Sequence, residues 1–383
     1  MYKRIYSIEH DQSFFLFGPR GSGKSTWLRQ YYKDATFFNF LDEALYQDLL
    51  ATPKRFADEL RALPDGSWVV LDEVQKVPHL LNYVHLFIEE KKLRFVLSGS
   101  SARKLKRDGV NLLAGRALMK HMYPFVPEEL GQDFNLEKTL QYGALPIVVA
   151  SSRPRETLEA YVMTYLREEI KAEALVRNLP AFSRFLPVAA LFHGQVLNVS
   201  SLARDAQVVR NTVEGYLEIL NDTLLATKLE PFVSHLRVRE KKHPKLYWVD
   251  PGLVRAIKKR WYEISPEERG PLLEGYVFSI LRAYNQASPL YDDIYYWSPL
   301  EANKTEVDFL IKRGDEYWAI EVKAQARLRN EELVGLRAIS GLIGLRKRIF
   351  VYLGDKELLT EDNIHIWPFT KFQEQLASGQ LIV

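Results

Sequence analysis

The stretch Gly18-Pro19-Arg20-Gly21-Ser22-Gly23-Lys24-Ser25 constrains what this chain can fold into more than any other. It fits the phosphate-loop pattern G-x-x-x-x-G-K-[ST] at every fixed position, and Thr26 follows. The apolar run Phe14-Phe15-Leu16-Phe17 reads as a buried strand before the loop. Trp27-Leu28-Arg29-Gln30 reads as the start of a helix after it. Strand, glycine-rich loop and helix together give the pattern its chemistry. Glycines let backbone N–H groups wrap a phosphate, and the helix N-terminus adds partial positive charge. Lys24 can reach the β- and γ-phosphates and Ser25 can ligate Mg²⁺, so residues 18–26 are expected to hold ATP with Mg²⁺.

A second apolar run, Trp68-Val69-Val70-Leu71, ends in Asp72-Glu73. Carboxylates at the C-terminal end of a strand sit where α/β folds bind ligands. Asp72 is expected to hold the Mg²⁺ through water and Glu73 to polarise the attacking water, which points to hydrolysis rather than binding alone. A third strand candidate, Phe95-Val96-Leu97-Ser98, runs into Gly99-Ser100-Ser101. Ser101 also suits the N-cap of a following helix.

The chain has 383 residues, of which 47% are hydrophobic and 26% charged, so it can bury real cores across about two to four domains. The net charge of +3 neither demands nor excludes nucleic acid. With no cysteine, disulfide, thiol and Cys–metal chemistry are excluded. The N-terminus has no apolar core of signal-peptide length and no run is long enough to cross a bilayer, so no membrane association and a cytoplasmic location are expected.

From residue 181 the pattern changes. A helix over 182–192 is followed by Asn198-Val199-Ser200-Ser201-Leu202-Ala203-Arg204-Asp205-Ala206, a short helix with Ser200 as the expected N-cap. Gln207-Val208-Val209 makes a turn, and a second helix over 210–220 carries Val213, Tyr216, Leu217 and Leu220 on one face. Strand-like runs at 224–229 and 245–249 flank a segment holding Arg237, Arg239, Lys241, Lys242 and Lys245. This is a winged-helix layout. Arg210, Asn211 and Thr212 open the recognition helix, and the basic tip with Lys241 and Lys242 suits phosphates, so these residues are expected to contact DNA.

Pro266 and Pro271 mark a boundary, and Glu274 is expected to open a helix. Asp308 lies in one strand and Glu321 and Lys323 in the next, across a turn at 312–315. Residues i and i+2 of a strand share a face, and a hairpin brings Asp308 beside them. Carboxylates converging with a lysine, plus Glu274, suit a Mg²⁺ site that activates water against a phosphodiester.

These motifs, and the run Tyr247-Trp248-Val249-Asp250-Pro251-Gly252-Leu253, make the chain resemble bacterial and archaeal AAA+ ATPases that join a P-loop module, a winged helix and a C-terminal PD-(D/E)xK restriction-endonuclease-like domain. The resemblance implies an α/β fold with an ATPase core over 1–122, a helical lid over 123–179 containing Arg153, Arg155 and Arg167, a winged helix over 180–262 and a nuclease-like domain over 263–383. It implies Ser100, with Ser98 as the alternative, as the γ-phosphate sensor. Arg116 takes the position of an arginine finger that acts on a neighbouring subunit, which implies a homo-oligomer, a hexameric ring. It implies ATP hydrolysis in the service of duplex or branched DNA, with Mg²⁺-dependent endonuclease activity if Asp308, Glu321 and Lys323 are catalytic. The alternative is a nucleotide-dependent switch that binds a protein partner and carries an inactive nuclease-like domain.

Overall fold

A computed structural model of the chain describes residues 2–6, 11–101, 103, 105, 113, 115–165, 179–233, 241–300 and 305–382. Arg167 of the expected lid and Arg237 and Arg239 of the basic segment lie outside the described residues. The chain forms two compact units. One holds residues 6–123 with 222–225, and the other holds 2–5, 124–221 and 226–382.

The first unit is built on a five-stranded sheet of β1 (Ser13–Phe17), β2 (Thr36–Asn39), β3 (Trp68–Asp72), β4 (Arg94–Gly99) and β5 (Ala117–His121), in the order β2-β3-β4-β1-β5. All of its pairings are parallel. A central parallel strand is covered on both faces, which is why β1 is an unbroken apolar run. Its alternate residues feed two cores. Phe15 and Phe17 join Val69, Leu71, Phe95 and Leu97 on one side. Phe14 and Leu16 join Trp27, Val70 and Val96 on the other.

The second unit contains two sheets. Helix Leu179–Leu191 precedes helix Val199–Ala206, and a turn at Gln207, with φ of 53°, leads into helix Arg210–Asp222. Asn198, rather than Ser200, caps the short helix: its side chain accepts from Ser201 N at 3.0 Å. The cap must precede the first helical residue, and Ser200 already lies inside the helix. β6 (Gln195–Val196), β7 (Ala226–Leu229) and β8 (Lys245–Trp248) then form an antiparallel sheet in the order β6-β8-β7.

The other sheet runs β13-β14-β12-β11-β10-β9. Its strands are β9 (Asp293–Trp297), β10 (Val307–Arg313), β11 (Glu316–Lys323), β12 (Leu345–Tyr352), β13 (Leu358–Leu359) and β14 (Ile364–Pro368). β9, β10 and β11 form an antiparallel meander, while β11, β12 and β14 pair in parallel. The long helix Pro266–Ala287 covers β11. It begins eight residues before Glu274, with Ser265 as N-cap. Pro266 sits in the first turn, where a missing N–H costs nothing, and the helix continues through Pro271. Glu274 therefore projects from mid-helix instead of opening it.

The segment 124–165, expected as a lid on the ATPase core, groups with the second unit. Ala144 N donates to buried Asp250 at 2.6 Å, and Arg269 forms a bidentate pair with Glu137. Arg153 and Arg155 are exposed and paired with Glu156 and Glu159 on their own helix.

Candidate functional site

The glycine-rich loop turns at the C-terminal end of β1 and feeds helix Lys24–Tyr31. Gly23 caps that helix at φ 88°, a left-handed conformation that glycine adopts without steric cost. A Cβ on Gly18 would lie 2.5 Å from the Met122 carbonyl oxygen, so a side chain there would close the loop. Lys24 is buried, and its Nζ donates to the carbonyl oxygens of Gly18 at 2.7 Å and Pro19 at 3.2 Å. Arg20 and Thr26 are exposed, Ser25 is half-buried and Ser22 is buried.

Asp72 ends β3 and pairs in register with Ser98 on β4, while Phe17, the last residue before the loop, pairs with Gly99. Loop, carboxylate and the turn after β4 thus share one edge of the sheet. Ser98 Oγ donates to Asp72 Oδ1, and both groups are buried. Glu73 takes the left-handed conformation, with φ of 63°. Its Oε2 accepts from Gln75 Nε2 at 2.6 Å, and the same amide lies 3.3 Å from Ser100 Oγ. Ser98, in β4, and Ser100, just after it, therefore have different partners: Ser98 bonds Asp72, and Ser100 reaches Glu73 through Gln75. Gln75 was not singled out in the sequence, where it is one polar residue in a short 3₁₀ turn. Ser101 Oγ accepts from Arg103 N at 3.0 Å, a local cap.

The loop fits a nucleotide phosphate group on chemical grounds. A buried ammonium is held by its own loop's carbonyls, beside a cradle that a single Cβ would fill. Ser25 and Asp72 are the residues that would hold Mg²⁺, which supplies charge neutralisation for phosphoryl transfer. Arg116 lies elsewhere. It precedes Ala117, which pairs with Ser13 at the start of β1, so it sits at the opposite edge of the sheet from the loop. Four residue steps along β1 separate those edges by about 13 Å. Arg116 is paired with Glu89 at 2.6 Å, and that contact holds the Glu89 carboxyl below its usual range.

Arg210, Asn211 and Thr212 are exposed at the start of their helix, with Arg210 3.1 Å from Glu214 one turn on. Lys242 is exposed, and Lys241 is half-buried, 3.8 Å from Glu306. Lys245 differs from the rest of the basic segment. It opens β8, is 2% exposed, and points into the C-terminal carboxylates instead of toward solvent.

Those carboxylates do converge. The β10–β11 register sets Phe309 opposite Ile320, which brings Asp308 beside Glu321. Asp308 N donates to Glu321 Oε2 at 3.3 Å, and Val322 N donates to Asp308 Oδ2 at 2.9 Å. Lys323 pairs with Glu321 and lies 3.7 Å from Asp308. Lys245 Nζ lies 2.9 Å from Glu274, 2.5 Å from Glu306 and 3.3 Å from Asp308. Glu306, just before β10, is not among the expected site residues. One residue, Val307, separates it from Asp308, an i, i+2 spacing that puts both on one face and could have found it.

Burial pushes the Glu274 carboxyl up to about 7 and the Glu321 carboxyl up to about 8, with the Asp308 charge adding to both. For Asp308 burial also acts upward, but Lys323, Lys245 and the Val322 N–H outweigh it and hold that carboxyl below its usual range. The carboxylates around Lys245 and Lys323 raise both ammoniums above the usual lysine range despite burial. The expected Mg²⁺ does not fit these residues. Each of the four carboxylates already pairs with Lys245 or Lys323, and among the described residues no group of three His, Asp or Glu is placed to hold a metal ion. Among the described residues, no helix is long and apolar enough to cross a membrane.

Residues 10–131 match the family model described as AAA domain. Residues 132–261 and 269–372 match two domains of unknown function, DUF8612 and DUF4143. The first of these runs through both the expected lid and the expected winged helix. An uncharacterized protein of Mycobacterium tuberculosis is 28% identical over 317 residues, 80% of this chain and 69% of the relative. An uncharacterized protein of Haemophilus influenzae is 23% identical over 338 residues, 80% of each chain. Among solved structures, the Aeropyrum pernix ORC1 protein in complex with DNA is 14% identical, with a TM-score of 0.26 over 65% of this chain and 86% of that one, a likeness too slight to carry an argument. The family match and the parallel sheet together support a nucleotide-hydrolysing P-loop core of the AAA+ kind in residues 10–131.

Proposed function

We propose that the chain is an ATP-hydrolysing AAA+ protein that acts on duplex or branched DNA. The observation that carries the ATPase reading is the shared end of the sheet, where the loop after β1 leads into Lys24, Asp72 ends β3 with Glu73 next to it, and Ser98 bonds the Asp72 carboxylate. In this reading the N–H groups of residues 18–26 and the Lys24 ammonium hold the phosphates, and Ser25 and Asp72 hold Mg²⁺. Glu73 Oε2 takes the proton of the attacking water once it leaves Gln75. Ser98 orients Asp72 and Ser100 responds to the γ-phosphate side through Gln75. Arg116, at the far edge of its own sheet, serves a neighbouring subunit, which requires a homo-oligomer such as a hexameric ring.

Support for DNA comes from the helix–turn–helix followed by antiparallel strands, read here as a winged helix. It leaves Arg210, Asn211 and Thr212 exposed where such helices meet a groove. The test is ATP turnover at low salt with single-stranded, duplex, forked and four-way DNA. Stimulation is expected, and Arg210→Ala should weaken DNA binding and reduce its salt slope by about 1 while sparing basal turnover. Unchanged turnover on every DNA, with no binding, would leave the ATPase standing and transfer the reading to a switch that binds a protein partner.

A further inference from the structure

β8 packs by one face against the C-terminal sheet and the helix Pro266–Ala287. Lys245 and Tyr247 stand two residues apart on that face, and the helix Pro266–Ala287 presents Glu274 and Phe278, one turn apart. Tyr247 OH bonds Glu274, and the Tyr247 ring packs on Phe278 at 4.7 Å and Phe309 at 5.9 Å between centroids. The aromatic contacts and the ion cluster thus form one interface. The chain leaving β7 extends it: Phe232 N donates to Tyr296 O at 2.7 Å and Tyr296 N to Glu230 O at 3.1 Å. A lysine ammonium has three N–H donors, and Lys245 has three carboxylates around it, from a helix, Glu274, and from the strand region of Glu306 and Asp308.

From this geometry we infer that the Lys245 ammonium takes the place of a divalent cation in the carboxylate cluster. The C-terminal domain is then a metal-free, non-cleaving module, and the wing strand β8 is clamped to it by an internal cation. The inference is independent of the ATPase and DNA readings above. A Mg²⁺ ion needs ionised oxygens that are free to turn toward it. Here Asp308 spends Oδ1 on Lys245 and Oδ2 on the Val322 N–H, Glu321 spends Oε1 on Lys323 and Oε2 on Asp308 N, and Glu274 holds both Lys245 and Tyr247 at Oε1. Lys323 reaches Asp308 only at 3.7 Å and Lys241 reaches Glu306 only at 3.8 Å, and neither pairs with Glu274. Lys245 reaches Glu274, Glu306 and Asp308 from a different part of the chain.

The test is Mn²⁺ binding to the nucleotide-free full-length chain, followed by electron paramagnetic resonance, beside Asp308→Asn. Uptake removed by Asp308→Asn belongs to the cluster. The wild type is expected to show none, to gain no thermal stability from Mn²⁺, and to nick no DNA with Mg²⁺ or Mn²⁺. Lys245→Ala, which vacates the position and keeps the carboxylates, is expected to bind Mn²⁺ at least about tenfold more tightly than the wild type and to be stabilised by it. Uptake by the wild type that Asp308→Asn abolishes would overturn the inference. So would nicking abolished by Lys323→Ala, or a folded Lys245→Ala that takes up no Mn²⁺. If Lys245→Ala does not fold, the wild-type titration still decides, and Lys245→Arg, which keeps the cation, should match the wild type.

Discussion

Lys24 and Lys245 are both buried ammonium groups, and the two are held in opposite ways. Lys24 donates to carbonyl oxygens of its own loop, which are dipoles that phosphate oxygens can displace. Lys245 is ringed by three carboxylates from two other elements. On the proposed ATPase reading, the first arrangement keeps a positive site ready for an anionic ligand. The second cancels charge inside the fold, where desolvation makes an unmatched ion very costly. A motif rich in lysine and acids is thus a ligand site or a structural joint depending on what the lysine already holds.

The largest expected effects separate the two. Lys24→Ala should lower ATP turnover by about 100-fold or more while leaving the melting temperature of the second unit in place. Lys245→Met should leave basal turnover unchanged and destabilise the second unit by about 3–5 kcal/mol, because it strands buried carboxylates. Denaturant melts read alongside turnover check both, and loss of turnover in Lys245→Met would break the comparison.

Next in size is pH. Glu274 and Glu321, raised to about 7 and about 8 in the folded chain, favour the protonated form there. Their contribution is complete below the ordinary glutamate range and is lost as pH rises through 7 and 8. Asp308, held low, loses its contribution only in acid. The second unit should therefore lose stability progressively as pH rises from about 5 to about 9. Glu321→Gln should flatten that slope. A wild type equally stable across this range would show that neither glutamate is held protonated in the fold.

The smallest effect tests the nucleotide side. Ser98→Ala removes the hydroxyl that holds Asp72, worth about 1.5–3 kcal/mol for a bond to a charged group. Turnover should fall about tenfold or more, further than in Ser100→Ala, whose link to Glu73 runs through Gln75. Equal losses would make the two serines interchangeable.

Much was legible from residue order, because local patterns have local causes. The phosphate loop needs glycines between a buried strand and a helix, and Gly18–Ser25 supply them in consecutive positions. β3 ends at Asp72 because a parallel strand ends in polar residues at the sheet edge. Asp308 and Glu321 are paired by a short hairpin, whose register follows from alternation. Asn198 rather than Ser200 as cap is a two-residue error, and the helix that starts at Pro266 rather than Glu274 an eight-residue one, both within the same local reading.

What the chain order could not reveal involves residues far apart. Lys245 lies 29 residues from Glu274 and 63 from Asp308. Beside Lys241 and Lys242 it reads as one more surface charge. Only when β8 turns its Lys245–Tyr247 face onto the long helix does that charge leave water, and burial then forces it to find carboxylates. The same holds for residues 124–165, which read as a lid by their place after the P-loop module. Buried Asp250, accepting from Ala144 N more than a hundred positions away, ties them to the second unit instead. Periodicity and loop chemistry are written into neighbouring residues. Which charge is buried, and against what, depends on long-range packing, and here that packing separates a lysine poised for phosphate from one that stands where a metal ion was expected.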